Sequence, residues 1–120
     1  KKLPKNVGLL GLVSNEVKNK VFGAVDFALN PMVSGSGTNL KMFEYMAAGI
    51  PVITTAFGAR GIEDKECFTI SEIQDMPKKI CDLTLFEKEV QVRLARDYVE
   101  KQFDWKNISQ KIQKEIKSIL

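Results

Sequence analysis

The chain has 120 residues, of which 44% are hydrophobic and 28% charged, and its formal net charge is +3. This length and composition predict one folded domain or part of one and exclude a mainly disordered chain. No apolar run approaches the ~18 residues of a membrane span, and the first residues do not resemble a signal peptide. The mild positive charge does not require a nucleic-acid partner.

Histidine is absent, which excludes histidine-dependent catalytic triads and histidine-ligated zinc. The two cysteines, Cys67 and Cys81, are too few for a disulfide framework. A reducing, cytoplasmic location is therefore expected, with both thiols inert in the core.

Short apolar runs alternate with helical patterns over the first 70 residues. Residues 7–13 form an apolar run between turn-like residues, which predicts a buried parallel strand. A helix is predicted after it, capped by Ser14 or Asn15, and a second helix is predicted to begin after Thr38 as N-cap and to end at Gly49. The predicted strands are 7–13, 27–30, 51–55 and 67–70, and the two predicted helices are 16–24 and 39–48.

From Ser71 onward every pattern is helical. Pro77 suits the first turn of a helix, and residues 103–105 interrupt the apolar periodicity before a last helix with an isoleucine stripe. The predicted segments are a short one at 71–73 and longer helices at 77–84, 85–102 and 106–120. The fold class predicted is α/β, a Rossmann-like partial doubly wound parallel sheet of about four strands with C-terminal helices. Residues 1–120 form a single partial domain, with 1–70 alternating and 71–120 a helical closing region.

A glycine-rich segment at residues 32–37 connects the second predicted strand to the helix at 39–48. The first turn of a helix leaves N–H groups unpaired, and its dipole adds about half a positive charge, so this arrangement suits a phosphate or diphosphate. Gly35 and Gly37 permit close approach of a ligand, and Lys41 adds a cation. The alternative is a glycine-rich loop that binds nothing. The segment matches neither the dinucleotide fingerprint nor a P-loop.

Glu44 lies in the second turn of the same helix. At about 100° per residue, Leu40, Phe43 and Ala47 form an apolar arc with Glu44 at its rim. A carboxylate there can accept hydrogen bonds from the diol of a ribose or another sugar. A surface glutamate without a ligand is the alternative interpretation.

Residues 35–55, with the sequence GSGTNLKMFEYMAAGIPVITT, resemble the donor-binding motif of retaining GT-B glycosyltransferases. This family includes sucrose synthase and many bacterial capsule and lipopolysaccharide glycosyltransferases. Residues 6–11 resemble the preceding strand of the family, 24–31 the next strand and 56–61 the following loop. Residues 98–105, with the last helix, resemble the family's C-terminus. The resemblance covers nearly the whole chain and implies half of a GT-B donor domain.

The resemblance also implies roles for individual residues. Glu44 matches the second motif glutamate, which binds the nucleotide ribose, whereas Ser36 occupies the position of the first, which lies near the donor sugar. No catalytic residue is therefore assigned. The implied donor site comprises Gly35 and Ser36 in the loop; Gly37, Thr38, Asn39 and Leu40 at the helix start that holds the diphosphate; Lys41 and Glu44 in the helix; and Gly11, Leu12 and Val13 beside the base.

GT-B enzymes have two Rossmann-like domains that face each other across a cleft. The resemblance therefore implies a C-terminal fragment, inactive alone, whose parent chain also contains the N-terminal acceptor domain and the first part of the donor domain. The parent would transfer a sugar from a nucleotide-diphosphate sugar to a polysaccharide, lipopolysaccharide or glycolipid, with retention and without a metal or other cofactor. An exposed sheet edge predicts a homo-oligomer.

Two further features allow more than one interpretation. Arg60, in the loop at 56–66, is cationic, and we interpret it as a solvated loop arginine. The last helix combines its isoleucine stripe with Lys106, Lys111, Lys114 and Lys117, which permits contact with an anionic membrane. In the family this region packs toward the N-terminal domain, and we expect the helix to cover the core here.

Three other function classes stay open. A non-catalytic nucleotide-binding or assembly module would explain Ser36. A nucleotide-sugar epimerase of GT-B-like fold normally has a second acidic residue beside the motif glutamate, whereas Phe43 and Tyr45 flank Glu44 here. A receiver-like signalling domain requires an acidic cluster after the first strand, and residues 11–14 offer none.

Overall fold

A computed structural model describes residues 2–37 and 39–120, and over these ranges a three-stranded parallel sheet is accompanied by five α-helices. The predicted α/β class with C-terminal helices is confirmed, as a Rossmann-like partial domain. Short 3-10 turns occupy Lys65–Cys67 and Ile73–Asp75. In chain order the main elements are α1 (Asn15–Ala24), β1 (Ala28–Asn30), α2 (Leu40–Ala47), β2 (Val52–Thr54), β3 (Thr69–Ile70), α3 (Met76–Asp82), α4 (Leu85–Phe103) and α5 (Trp105–Ile119).

The sheet has the order β1-β2-β3, so β2 is its central strand. In the register, Leu29 of β1 lies opposite Ile53 of β2, and Ile53 lies opposite Thr69 of β3. All three residues of β2 are buried, as the β-branched sequence of this strand predicts. Met42 and Met46 of α2 are fully buried in one cluster with Val52 of β2. The apolar arc predicted for α2 is therefore not its buried face, because Leu40 and Ala47 are exposed and Glu44 lies opposite the two methionines.

The strand predicted at residues 7–13 is wrong. This segment pairs with no strand in the described ranges, and Leu9 and Leu12 are 80% and 104% exposed. An apolar run predicts burial only where another surface covers it, and a strand forms only where a neighbour completes its hydrogen bonds. The segment lacks both, so the sheet has three strands instead of about four.

Side-chain caps explain where several helices begin. The Ser14 hydroxyl accepts a hydrogen bond from the Val17 amide at 3.3 Å, which starts α1. Thr84 and Glu87 form a reciprocal capping box at the start of α4, and these hydrogen bonds from Thr84 lower the pKa of Glu87. Asp104 accepts from the Lys106 amide at 2.9 Å, which separates α5 from α4. The predicted N-cap of α2, Thr38, lies outside the described residues.

The two cysteines have different environments. Cys67 is buried as predicted, and burial, with the nearby Asp64 as a second cause, raises the pKa of its thiol to about 12. Cys81 is exposed on α3, so its prediction as a core thiol is wrong. α3 is short and presents only Met76 to the core, which leaves the Cys81 face in solvent.

The expectation that the last helix covers the core is also wrong. α5 contacts α4 but has no buried residue, because the core is already closed by α2, α4 and the segment around Phe68. Within residues 2–37 and 39–120, none of the helices has the combination of length and apolar content that a membrane span needs.

Candidate functional site

Buried polar side chains lie where β1 and β2 end. The side-chain amide of Asn30 donates a hydrogen bond to the Thr54 hydroxyl at 3.2 Å, and this hydroxyl donates to the backbone carbonyl of Asn30 at 3.2 Å. The next residue, Thr55, donates its hydroxyl to the Met32 carbonyl and accepts from the Gly58 amide at 3.0 Å. These hydrogen bonds join the loops that follow both strands. These hydrogen bonds therefore hold the carboxyl edge of the sheet in place, and this is the edge where ligands bind in open α/β folds.

The glycine-rich loop between β1 and α2 has backbone conformations that favour glycine. Gly35 has φ +141° and Gly37 has φ +74°. A Cβ atom at Gly35 would also lie 2.6 Å from the methyl carbon of Met32. The loop therefore requires glycine at both positions for backbone freedom, whereas the flexible Met32 side chain can move away from a Cβ atom at Gly35.

Arg60 binds this loop. Its Nη1 donates to the Gly35 carbonyl at 3.3 Å, its Nη2 donates to the Gly37 carbonyl, and its guanidinium lies 4.3 Å from the centre of the Phe57 ring. Arg60 is an exposed loop residue, as predicted, but its two hydrogen bonds to the glycine-rich loop were not predicted. The sequence separation is 25 residues for the contact with Gly35 and 23 for the contact with Gly37, so no local sequence pattern predicts them.

The start of α2 follows the loop directly. Asn39 precedes the helix, but its side chain does not cap it; the side-chain Nδ2 donates to the Met32 sulfur at 3.1 Å. Leu40 and Lys41 in the first turn are exposed. Neither capping by Asn39 nor burial blocks an anion from approaching this turn.

Glu44 is exposed on α2, and its carboxylate forms an ion pair with Lys18 of α1 at 3.3 Å. The contact is supported by Phe22 and Tyr45, whose rings meet edge to face at 5.6 Å between the same two helices. Lys18 was not among the predicted site residues. Helical periodicity places it on α1 but does not indicate that α1 packs beside α2.

An open apolar cleft of about 470 Å³ lies next to Glu44. Phe43 at its wall stacks on Phe103 with ring centres 4.1 Å apart, which brings the junction of α4 and α5 against α2. The lining residues are Leu40, Phe43, Glu44, Phe103, Trp105 and Ile108.

The described loop and helix residues of the predicted site thus follow one another in one loop and helix, and no described hydrogen bond joins them to the predicted N-terminal part. Gly35, Ser36 and Gly37 in the loop and Leu40, Lys41 and Glu44 in α2 are exposed, and Asn39 before the helix is half-buried. Gly11, Leu12 and Val13 lie in the segment without strand pairing, and no hydrogen bond described in the structure joins them to the loop. Among the described residues, no three cysteine or acidic side chains converge as metal ligands.

A family model described as glycosyl transferases group 1 matches residues 1–85. The match includes β1, the glycine-rich loop, α2, β2 and β3, which are the elements described above. No curated protein matches the sequence. Because the family match spans well over half of the 120 residues, the chain belongs to the group 1 glycosyl transferases.

Proposed function

We propose that the chain supplies part of the nucleotide-sugar donor site of a retaining GT-B glycosyltransferase related to the capsule and lipopolysaccharide enzymes. The parent enzyme transfers a sugar from a nucleotide-diphosphate sugar to a polysaccharide, lipopolysaccharide or glycolipid. One observation carries the proposal: the glycine-rich loop runs from the carboxyl end of β1 into α2, and Glu44 lies one turn inside that helix. As a partial domain, the chain needs the acceptor domain of the same parent for activity.

The diphosphate of the donor binds at the start of α2 in this proposal. Unpaired amides and the helix dipole favour an anion there, and the Asn39 side chain does not compete because it bonds to Met32. Lys41 and Arg60 add positive charge beside the loop. When the sugar–phosphate bond breaks, negative charge grows on the leaving diphosphate, and fixed amides directed at that charge stabilise the transition state. The proposal requires no metal.

The ribose of the nucleotide binds to Glu44, whose carboxylate oxygens accept hydrogen bonds from the two ribose hydroxyls. The ion pair with Lys18 at 3.3 Å limits where this carboxylate can move before the ligand arrives. Gly11, Leu12 and Val13 form the wall beside the base, which requires the segment at 7–13 to be placed by the remaining part of the donor domain.

Ser36 favours one second candidate, a nucleotide-binding module without catalysis. A serine cannot supply the negative charge that a glutamate would place near the donor sugar. Sugar transfer by the full-length parent would reject this alternative, and nucleotide binding by a parent that transfers no sugar would support it.

Titration of the chain with UDP and GDP, followed by amide NMR shifts, tests the donor site. We expect shifts concentrated at residues 35–44. Glu44→Gln should weaken binding about 10- to 100-fold, since hydrogen bonds to a charged group contribute about 1.5–3 kcal/mol. Glu115→Gln removes another exposed carboxylate, on α5, and should leave the affinity unchanged. Shifts scattered over the surface, or equal affinities in both variants, would contradict the proposal.

Arg60→Gln tests whether the loop must be held in place. The substitution removes the cation that bonds to both glycine carbonyls, so the loop must be ordered when the nucleotide binds. We expect an affinity about 2- to 10-fold lower, the cost of ordering such a segment. Arg93→Gln on the exposed side of α4 is the matched control. Wild-type affinity in Arg60→Gln would show that these hydrogen bonds do not prepare the site.

A further inference from the structure

One ion pair of the protein joins two different helices. Within residues 2–37 and 39–120 the structure has four ion pairs, and three of them join residues four positions apart in a single helix. The fourth joins Lys18 of α1 to Glu44 of α2, with Lys18 Nζ 3.3 Å from Glu44 Oε1. Its lysine side chain is the least exposed of those in the four pairs, at 35%. This ion pair therefore depends on how α1 packs against α2, whereas the other three are local.

The Lys18 ammonium group also lies against an aromatic ring. It is 5.9 Å from the centre of the Phe22 ring, which is four residues further along α1 and on the same side of the helix. Phe22 in turn contacts Tyr45, and Tyr45 follows Glu44 directly in α2. The lysine and the carboxylate are therefore both attached to one packed contact between the two helices.

The ion pair engages only part of the Glu44 carboxylate. Lys18 donates to Oε1, whereas Oε2 accepts no hydrogen bond from the residues that the structure describes. The Glu44 side chain is 50% exposed, so a ligand can reach it. An ionised carboxylate has about four lone-pair sites on its two oxygens. Glu44 can therefore accept two neighbouring hydroxyl groups and keep its contact with the lysine.

A role in stability alone explains less of this arrangement. Exposed ion pairs contribute little to the free energy of unfolding, and the packing of Phe22 on Tyr45 already connects α1 to α2. What the ion pair adds to that packing is a defined direction for the Glu44 carboxylate, one turn inside the helix that begins after the glycine-rich loop.

We propose that Lys18 is a positioning residue that makes the donor site selective for ribose over deoxyribose. The inference rests on the proposed binding of the nucleotide ribose by Glu44. Accepting both the 2′- and the 3′-hydroxyl requires one orientation of the carboxylate, whereas accepting the 3′-hydroxyl alone is compatible with several. Lys18 holds that one orientation before the ligand arrives. Without Lys18 the cost of ordering the carboxylate falls on binding, and it falls mainly on the ligand that has both hydroxyls.

Titration with UDP, GDP and their 2′-deoxy counterparts, followed by amide NMR shifts, measures this selectivity. Wild-type protein should bind the ribonucleotide about 10- to 100-fold more tightly than the deoxyribonucleotide, the range for one hydrogen bond to a charged group. Lys18→Met removes the charge and keeps an unbranched side chain. It should lower the affinity for the ribonucleotide about 2- to 5-fold, the range for an exposed ion pair, and leave that for the deoxyribonucleotide nearly unchanged.

Three further variants separate positioning from a general effect of charge or folding. Lys20→Met removes the same charge from α1, where Lys20 pairs locally with Glu16, and should leave the selectivity at its wild-type value. Lys18→Arg should restore the selectivity, because a guanidinium also binds a carboxylate. In a Glu44→Gln background, Lys18→Met should have no further effect, since the lysine acts through the carboxylate. Circular dichroism verifies that each variant is folded.

Four results would overturn the inference: no preference for ribose in the wild type, wild-type selectivity in Lys18→Met, equal loss of affinity for both sugars, or a full effect of Lys18→Met in the Glu44→Gln background. Binding that Glu44→Gln weakens and Lys18→Met leaves unchanged would refute the role of Lys18 and still support the donor site. Absence of UDP and GDP binding by the wild type would overturn both proposals.

Discussion

Replacing Gly58 with alanine is expected to lower the free energy of unfolding by about 2 kcal/mol, the middle of the range for overpacking a tight interior. A Cβ atom at this position would lie 2.4 Å from the Thr54 hydroxyl oxygen and 2.6 Å from the Asn30 amide nitrogen. Both neighbours are buried and bonded to each other, so neither can move away without breaking the network that joins β1 to β2. Urea unfolding followed by circular dichroism measures the loss.

Gly23→Ala is the matched control for this change. Gly23 lies in the last turn of α1, and a Cβ atom there would have no neighbour within 4 Å. Alanine should leave the free energy of unfolding unchanged or raise it by up to about 1 kcal/mol, since it restricts the unfolded chain. A wild-type midpoint for Gly58→Ala would mean that Asn30 and Thr54 can make room for the added methyl group.

The central part of the fold could be predicted because local signals and tertiary packing agree there. The strand predicted at 51–55 contains β2, and the helix predicted at 39–48 contains α2 and ends before Gly49, which has φ +75°. The side of α2 that is buried was predicted wrongly, since Leu40 and Ala47 of the predicted apolar arc are exposed and Met42 and Met46 are fully buried instead. The family follows from the same segment, because glycine spacing and Glu44 are properties of contiguous sequence.

The parts that could not be predicted depend on contacts between distant residues. Arg60 has the sequence environment of a solvated loop, and only the fold brings it to the carbonyl groups of Gly35 and Gly37. Lys18 likewise reaches Glu44 because α1 packs beside α2, over a separation of 26 residues. The strand predicted at 7–13 is wrong for the opposite reason: its local pattern is that of a strand, but nothing in the described part of the chain covers it.

Truncation of Ile53 to alanine should have the largest effect of the substitutions considered, a loss of about 3 kcal/mol in the free energy of unfolding. Ile53 is fully buried at the middle of the central strand, with Leu29 opposite on one side and Thr69 on the other. Removing its side chain leaves a cavity between two strand neighbours that are fixed by backbone hydrogen bonds, so the surroundings can collapse only in part.

Leu29→Ala provides the comparison within the same rung of the sheet. Leu29 loses a similar number of carbon atoms, but it lies on an edge strand and is 45% exposed. Its truncation should cost less than about 1.5 kcal/mol, because much of the side chain already contacts water. Urea midpoints of the two variants decide the matter: equal losses would mean that β1 is covered in solution by a further surface, whereas a larger loss for Ile53 supports β2 as the buried central strand of the sheet.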